Sequence, residues 1–293
     1  MKYALLILLG LAWSGRLTAI KFAAESGASI PQILTLSATG IFGAFVVVCL
    51  LRGGWPSFRR SVVMFAGATA VLGFLAPFGL EITVAPHLPV FLLVVLIATM
   101  PLVTYGLSTA LGIERLHRTR LFAVIGGLGS VILIAADSHA RPEGSVTHPI
   151  WIIAALAIPV LYAVNTIFLS RRWPPGEDAV GIALIQSAIV APILLAVFFQ
   201  QAVGALQTLS SETYAALFLI VLAEATALLI FLALARDYGA VFVAQGNYLS
   251  ILFGAAFGAL FFGDDLGLGS VIGGFGVATA LFFLNRRPPT VAR

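Results

Sequence analysis

The chain has 293 residues, with 16 Lys and Arg against 12 Asp and Glu, so only 10% of it is charged, whereas a soluble globular chain carries about 25%. Its hydrophobic fraction is 60%, more apolar surface than a soluble domain of this length can hide, and that balance also excludes disorder, which needs low hydrophobicity and high charge. A single cysteine, Cys49, excludes a disulfide scaffold, and the basic residues are spaced out between apolar runs rather than clustered as nucleic-acid binding requires; the composition is that of a polytopic membrane protein.

A helix needs about 20 apolar residues to cross about 30 Å of hydrocarbon. Ten such runs follow in chain order, at about 3–22, 30–51, 62–82, 86–112, 120–136, 149–170, 178–200, 213–235, 239–262 and 268–285. The fifth and tenth are short, and the connections leave no room for a soluble domain. The runs are continuous rather than alternating, which indicates helices and not a β-barrel. Lys2 followed by Tyr3–Leu11 has the order of a secretory signal peptide, with Ala12-Trp13-Ser14 where a cleavage site would fall; kept as a span, it makes the count even.

The Lys and Arg content of the loops alternates, and this sets orientation. With the N-terminus in the cytoplasm, the cytoplasmic set is Lys2, Arg52, Arg59, Arg60, Arg115, Arg118, Arg120, Arg171, Arg172, Arg236, Arg286, Arg287 and Arg293. Lys21 and Arg141 fall outside, and Arg16 lies inside the first span. Both termini are therefore expected in the cytoplasm of an inner (cytoplasmic) membrane.

The chain is doubled. Span four ends in Gly112-Ile113-Glu114-Arg115-Leu116 and span five carries Gly126-Gly127-Leu128-Gly129; span nine ends in Gly263-Asp264-Asp265-Leu266 and span ten carries Gly273-Gly274-Phe275-Gly276. The offset is half the chain, so each half holds five spans. An odd number makes the second half enter from the opposite side, giving an inverted repeat with halves 1–146 and 147–293. The expected fold is an all-α membrane protein of ten transmembrane helices in two inverted five-helix repeats.

A charge at the centre of a span costs about 2.5–3.5 kcal/mol on insertion scales and is by default a functional candidate. Glu224 falls at the midpoint of span eight, and Arg16 lies in span one at a depth within about 5 Å of it, from a rise of 1.5 Å per residue. Arg16 would take a substrate carboxylate through its planar fork, and Glu224 an amine or a proton, so that a zwitterion competes with the internal pair. The alternative is a static ion pair, or a neutral hydrogen-bonded Glu224.

Mid-span polar groups form a second tier: Tyr162 and Asn165 in span six, Gln186 in span seven, and Gln245, Asn247 and Tyr248 in span nine, each otherwise an interhelical hydrogen bond. Trp13, Phe78 and Tyr105 would stack on an aromatic or cationic ligand, or serve as lipid-facing or core aromatics. Lys21 is placed to snorkel at the outer end of span one. Glu81 and His87 flank the outer end of span three, as an outer gate, a proton entrance or a plain loop. Asp237 beside Arg236 reads as a solvated pair. Pro77, Pro101, Pro159 and Pro192 free backbone groups in or near spans, and the Gly254/Gly258 and Gly269/Gly273 pairs have the GxxxG spacing of close helix contacts, within one chain or between protomers.

Trp13-Ser14-Gly15 running to Lys21, and Pro101 followed by Gly112-Ile113-Glu114-Arg115-Leu116 and a glycine-rich span five, resemble the repeat of EamA-type transporters. The resemblance covers the whole chain in two halves. It departs at Ser14, where the family has glycine, at Asp264-Asp265, and in the absence of a proline near Ser250. It implies the drug/metabolite transporter superfamily, with a central cavity lined by spans one, three, four, six, eight and nine, and export of small metabolites, especially amino acids, many driven by proton exchange.

No phosphate loop, metal-ligand spacing or nucleophile motif is present in the sequence, and His87, His117, His139 and His148 lie in or beside loops. No enzyme activity, metal or cofactor is expected. The expected function is secondary active transport of an amino acid or related small metabolite by alternating access, in a monomer or homodimer, with Glu224 as the candidate for proton coupling if protons couple. An organic cation or drug, or a vitamin-like aromatic compound, is the alternative substrate, and an intramembrane enzyme the rival class.

Overall fold

The computed structural model describes residues 1–84, 87, 96–137, 149–263 and 267–285. Arg141, His139, His148, Asp264, Asp265, Leu266, Arg286, Arg287 and Arg293 lie outside them. Every regular element among the described residues is helical: α1 (Lys2–Glu25), α2 (Ile30–Arg52), α3 (Arg60–Ala70), a π-helical turn (Val71–Leu75), α4 (Ala76–Val84), α5 (Met100–Ala110), α6 (Arg118–Asp137), α7 (Pro149–Arg172), α8 (Ala179–Val197), α9 (Phe199–Thr208), α10 (Ser211–Tyr238), α11 (Ala240–Ala244), α12 (Gly246–Phe262) and α13 (Leu268–Asn285).

Seven of these stretches are long and apolar enough to cross a membrane: Lys2–Glu25, Ile30–Arg52, Arg60–Glu81, Pro149–Arg172, Ala179–Val197, Ser211–Tyr238 and Ala240–Phe262. The chain is an all-helical, multi-pass membrane protein. Expected spans four, five and ten are not among these seven. Span four is described as α5 and the residues just before it, and a shorter apolar helix, Val271–Leu284, falls in span ten.

Local chemistry sets the helix ends. Ser29 and Gln32 form a capping box at the start of α2, with Pro31 in its first turn. The side chains of Asp178 and Ser210 accept from the Gly181 and Thr213 amides and cap α8 and α10. Gly112 and Gly263, the glycines that open the repeated motif, both adopt left-handed φ (+67° and +70°), a conformation that stops a helix.

The chain forms two compact units, and neither is a sequence half. Unit 1 is Met1–Leu75 with Phe168–Gly239; unit 2 is Ala76–Ile167 with Ala240–Arg293. The chain passes between them at three points, two of which have a local cause. One is the π-helical turn ahead of Pro77, a residue without an amide hydrogen to continue the helix ladder. Another is Gly239 at φ +86°. The third lies inside α7.

In unit 1, α1 packs along α10, and α2 along α8 and α10. Gly40 lets α2 approach α10 closely, since a Cβ there would sit 2.6 Å from Val221 Cγ2. In unit 2, the glycine-rich helices α6 and α13 pack against each other around Val124, Val131, Val277 and Tyr248. Gly127 faces the Tyr248 ring, 2.7 Å from where a Cβ would stand, and Gly276 faces Ser130. The GG-x-G motifs are therefore contact surfaces for close helix packing. Gly276→Ala forces Ser130 aside and is expected to cost about 1–3 kcal/mol by overpacking. The check is the melting temperature in detergent, which should fall, and recover in part when Ser130→Gly is added.

Candidate functional site

In unit 1, α1 and α10 are antiparallel. Lys2 Nζ lies 5.5 Å from the Tyr238 ring, so the start of one helix meets the end of the other. Arg16 stands 14 residues after Lys2 and Glu224 14 residues before Tyr238, which puts both about 21 Å along their helices at 1.5 Å per residue. They meet there: Arg16 Nε is 3.0 Å from Glu224 Oε2. The two contacting atoms are shielded from water, while the side chains as wholes keep 30% and 19% of their surface exposed. The contact is ionic rather than an aligned hydrogen bond. Trp13, one turn before Arg16, packs on Phe231 of α10 with ring centroids 6.0 Å apart. Ser14 and Thr18 flank Arg16, with the Thr18 hydroxyl donating to the Ser14 carbonyl.

The other unit 1 candidate is buried. Gln186 on α8 donates through Nε2 to Thr69 Oγ1 at 2.9 Å, and its Oε1 has no donor among the described residues.

The remaining candidates lie in unit 2 and are described within it alone. The helix of span nine breaks at Gln245, between α11 and α12. The Gln245 side chain is buried and reaches the Val241 carbonyl at 3.4 Å. Asn247, just past the break, donates to Met100 Sδ at 2.7 Å. Met100 itself follows a break in span four, where Thr99 precedes α5. The two breaks are about half a chain apart, and the residues following them touch. Tyr248 is fully buried and donates to the Val124 carbonyl at 2.9 Å, so its hydroxyl is held by backbone. Tyr105 is buried as well. Its hydroxyl accepts from the His117 amide at 2.8 Å and lies near the Arg115 carbonyl at 3.3 Å, bracing the turn between α5 and α6.

On α7, Asn165 is 2% exposed and its Oδ1 has no donor among the described residues. Tyr162, one turn away, donates to Glu81 Oε1 at 3.1 Å. The sequence places Glu81 at the outer end of span three, yet its partner stands near the middle of α7. Glu81 is thus a second carboxylate held by a mid-helix group, and the tyrosine in span six is the signal that points to it. His87 stacks on Trp151 at 3.9 Å. Among the described residues no group of three His, Cys, Asp or Glu side chains could hold a metal ion.

No family model matches the chain, and no curated protein matches it. Twenty-nine chains of solved structures do match. One of them, described as "Crystal structure of protein", covers 97% of this chain and 97% of its own at 15% identity with a TM-score of 0.72. At that identity the likeness is one of fold, and it extends over nearly the whole length of both chains.

The ionic contact has an energetic signature. Removing one member strands the other charge, at a cost of about 3–5 kcal/mol for a fully buried pair. Partial exposure reduces this, so Arg16→Met and Glu224→Leu are each expected to cost about 1–3 kcal/mol. The double variant should lie nearer wild type than either single variant. A double-mutant cycle on detergent unfolding reads the coupling directly.

Proposed function

We propose that the chain is a secondary active transporter of small metabolites, an amino acid or related metabolite exporter of the EamA type, in the inner membrane with both termini cytoplasmic. The Arg16–Glu224 contact carries this reading. The two charges stand at one depth in an apolar helix pair, and they complement the carboxylate and the ammonium of a zwitterion. A ligand that bridges them replaces an internal ion pair by two charge-assisted contacts, which offset the desolvation of the ligand's own charges while the protein's charges are already withdrawn from water. Glu224 is the candidate for proton coupling.

Three further observations support ten helices in two inverted repeats of residues 1–146 and 147–293. Gly112 and Gly263 stop their helices in the same conformation. The helix breaks at Thr99 and Gln245 recur about half a chain apart. The pairs α2 with α8, and α6 with α13, bring together spans that the repeat makes equivalent, as a two-fold axis requires of elements beside it. Alternating access follows from such an arrangement.

An organic cation is the second reading, favoured by the Trp13–Phe231 pair one turn from the ionic contact. A cation over an aromatic face gains about 0.5–2 kcal/mol, and Arg16 would then be structural. A thermal-shift screen of the purified protein against a metabolite panel separates the two. A ligand present at about 100 times its Kd raises folded-state stability by about 2.7 kcal/mol. Zwitterionic amino acids should stabilise wild type and lose the effect in both Arg16→Ala and Glu224→Gln. Stabilisation by cations that survives Arg16→Ala would overturn the amino-acid assignment.

A further inference from the structure

At one end of unit 1, five helix termini are tied by polar contacts between distant parts of the chain. Arg52, the last residue of α2, pairs with Asp178, the cap of α8. Glu177 Oε2 accepts from the Ser57 amide at 3.4 Å. Trp173 Nε1 donates to the Glu177 carbonyl at 2.9 Å. Arg236, near the end of α10, holds Asp237 at 2.6 Å and lies 5.4 Å from the Trp173 ring centre. Burial disfavours the Asp178 charge, but the hydrogen bonds from Arg52 and the Gly181 amide, with the charges of Arg52 and Arg236, outweigh it and hold its carboxyl below the usual range.

Three properties set this network apart from a fixed strut. Its charges are half exposed, at 48% for Arg52 and 47% for Asp178, and pairs of that kind contribute little to stability. A glycine in the left-handed region stands beside each connected segment: Gly53, Gly176 and Gly239, with φ of +63°, +82° and +86°. Such residues turn without steric cost. Beneath the ionic layer lies an aromatic one, Trp173 against Phe65 and Phe65 against Phe168. Beneath that is Gln186, whose buried Oε1 lacks a donor. An unsatisfied buried acceptor is costly, and water reaching it would remove that cost.

We propose that the Arg52–Asp178 network is a releasable latch, and that its opening admits water into unit 1 as far as the Gln186–Thr69 pair. The latch does not depend on the identity of any transported substrate. Cys49, the one cysteine of the chain, lies one turn before Arg52 and is 1% exposed, so it reports opening without an engineered probe.

The test is the rate of N-ethylmaleimide addition to Cys49 in the full-length protein, read by intact mass. Arg52→Gln removes the charge from α2, and Asp178→Asn removes the partner charge while keeping a side chain able to cap α8. Both should label about two- to fivefold faster than wild type, the size set by a half-exposed pair. High salt should accelerate wild type and leave the variants nearly unchanged. Gly276→Ala in unit 2 serves as the control for general loss of stability. Variants that label at the wild-type rate, or a control that labels as fast as the latch variants, would overturn the proposal.

Discussion

A charge in hydrocarbon must find its opposite, and in this chain that constraint fixes the register of two helices. Arg16 and Glu224 lie on antiparallel helices at equal distances from the end where Lys2 meets Tyr238. Sliding α1 along α10 by one turn, about 5.4 Å, would strand both charges. The small residues Ala19, Ala23 and Ala216 pack towards the opposite end of the pair and let the helices run close enough for the contact. The pair thus ties α1 to α10 within unit 1, and in the proposed function it also supplies the ligand-binding chemistry. On the proposed function, an incoming molecule that supplies both charges exchanges with this contact.

Unit 2 is organised differently. Its candidate polar groups are mostly spent on structure. Tyr248 holds the α6 backbone, Tyr105 holds the turn after α5, and Gln245 turns back on its own helix. The glycines of α6 and α13 bring those helices together. Among the described candidates of unit 2, Asn165 Oδ1 has no donor, one turn from the Tyr162–Glu81 contact. Helix breaks at Thr99 and Gln245 give this unit joints where backbone groups leave the helix ladder.

Much of the architecture was readable from residues alone, because the thickness of the bilayer dictates the length of each run. The expected span 30–51 is α2, and the expected span 149–170 is α7, to within two residues at either end. Depth was readable for the same reason, from a constant rise per residue, and so the proximity of Arg16 and Glu224 was legible. Other features were not. A mid-span tyrosine has the same sequence signature whether its hydroxyl faces a cavity or a carbonyl, so Tyr105 and Tyr248 gave no sign of their commitments. Arg52 and Asp178 are 126 residues apart, and no periodicity within one helix connects them. Glu81 and Tyr162 are likewise held together by a contact between distant parts of the chain, which no pattern within one apolar run shows. The compact units also cut across the sequence halves, because packing follows spatial neighbours and repetition follows the order of the chain.

The central claim is that a zwitterion and the internal ion pair compete for the same two charges. Infrared difference spectroscopy of the purified protein addresses this directly, recorded on adding the amino acid that stabilises it most with its carboxyl carbon isotopically labelled, so that only protein carboxylates absorb in the band followed. The account predicts a change in a carboxylate stretching band as Glu224 exchanges Arg16 for a ligand ammonium, and the loss of that band in Glu224→Gln. A ligand that binds without perturbing any carboxylate, or a band that persists in Glu224→Gln, would contradict it.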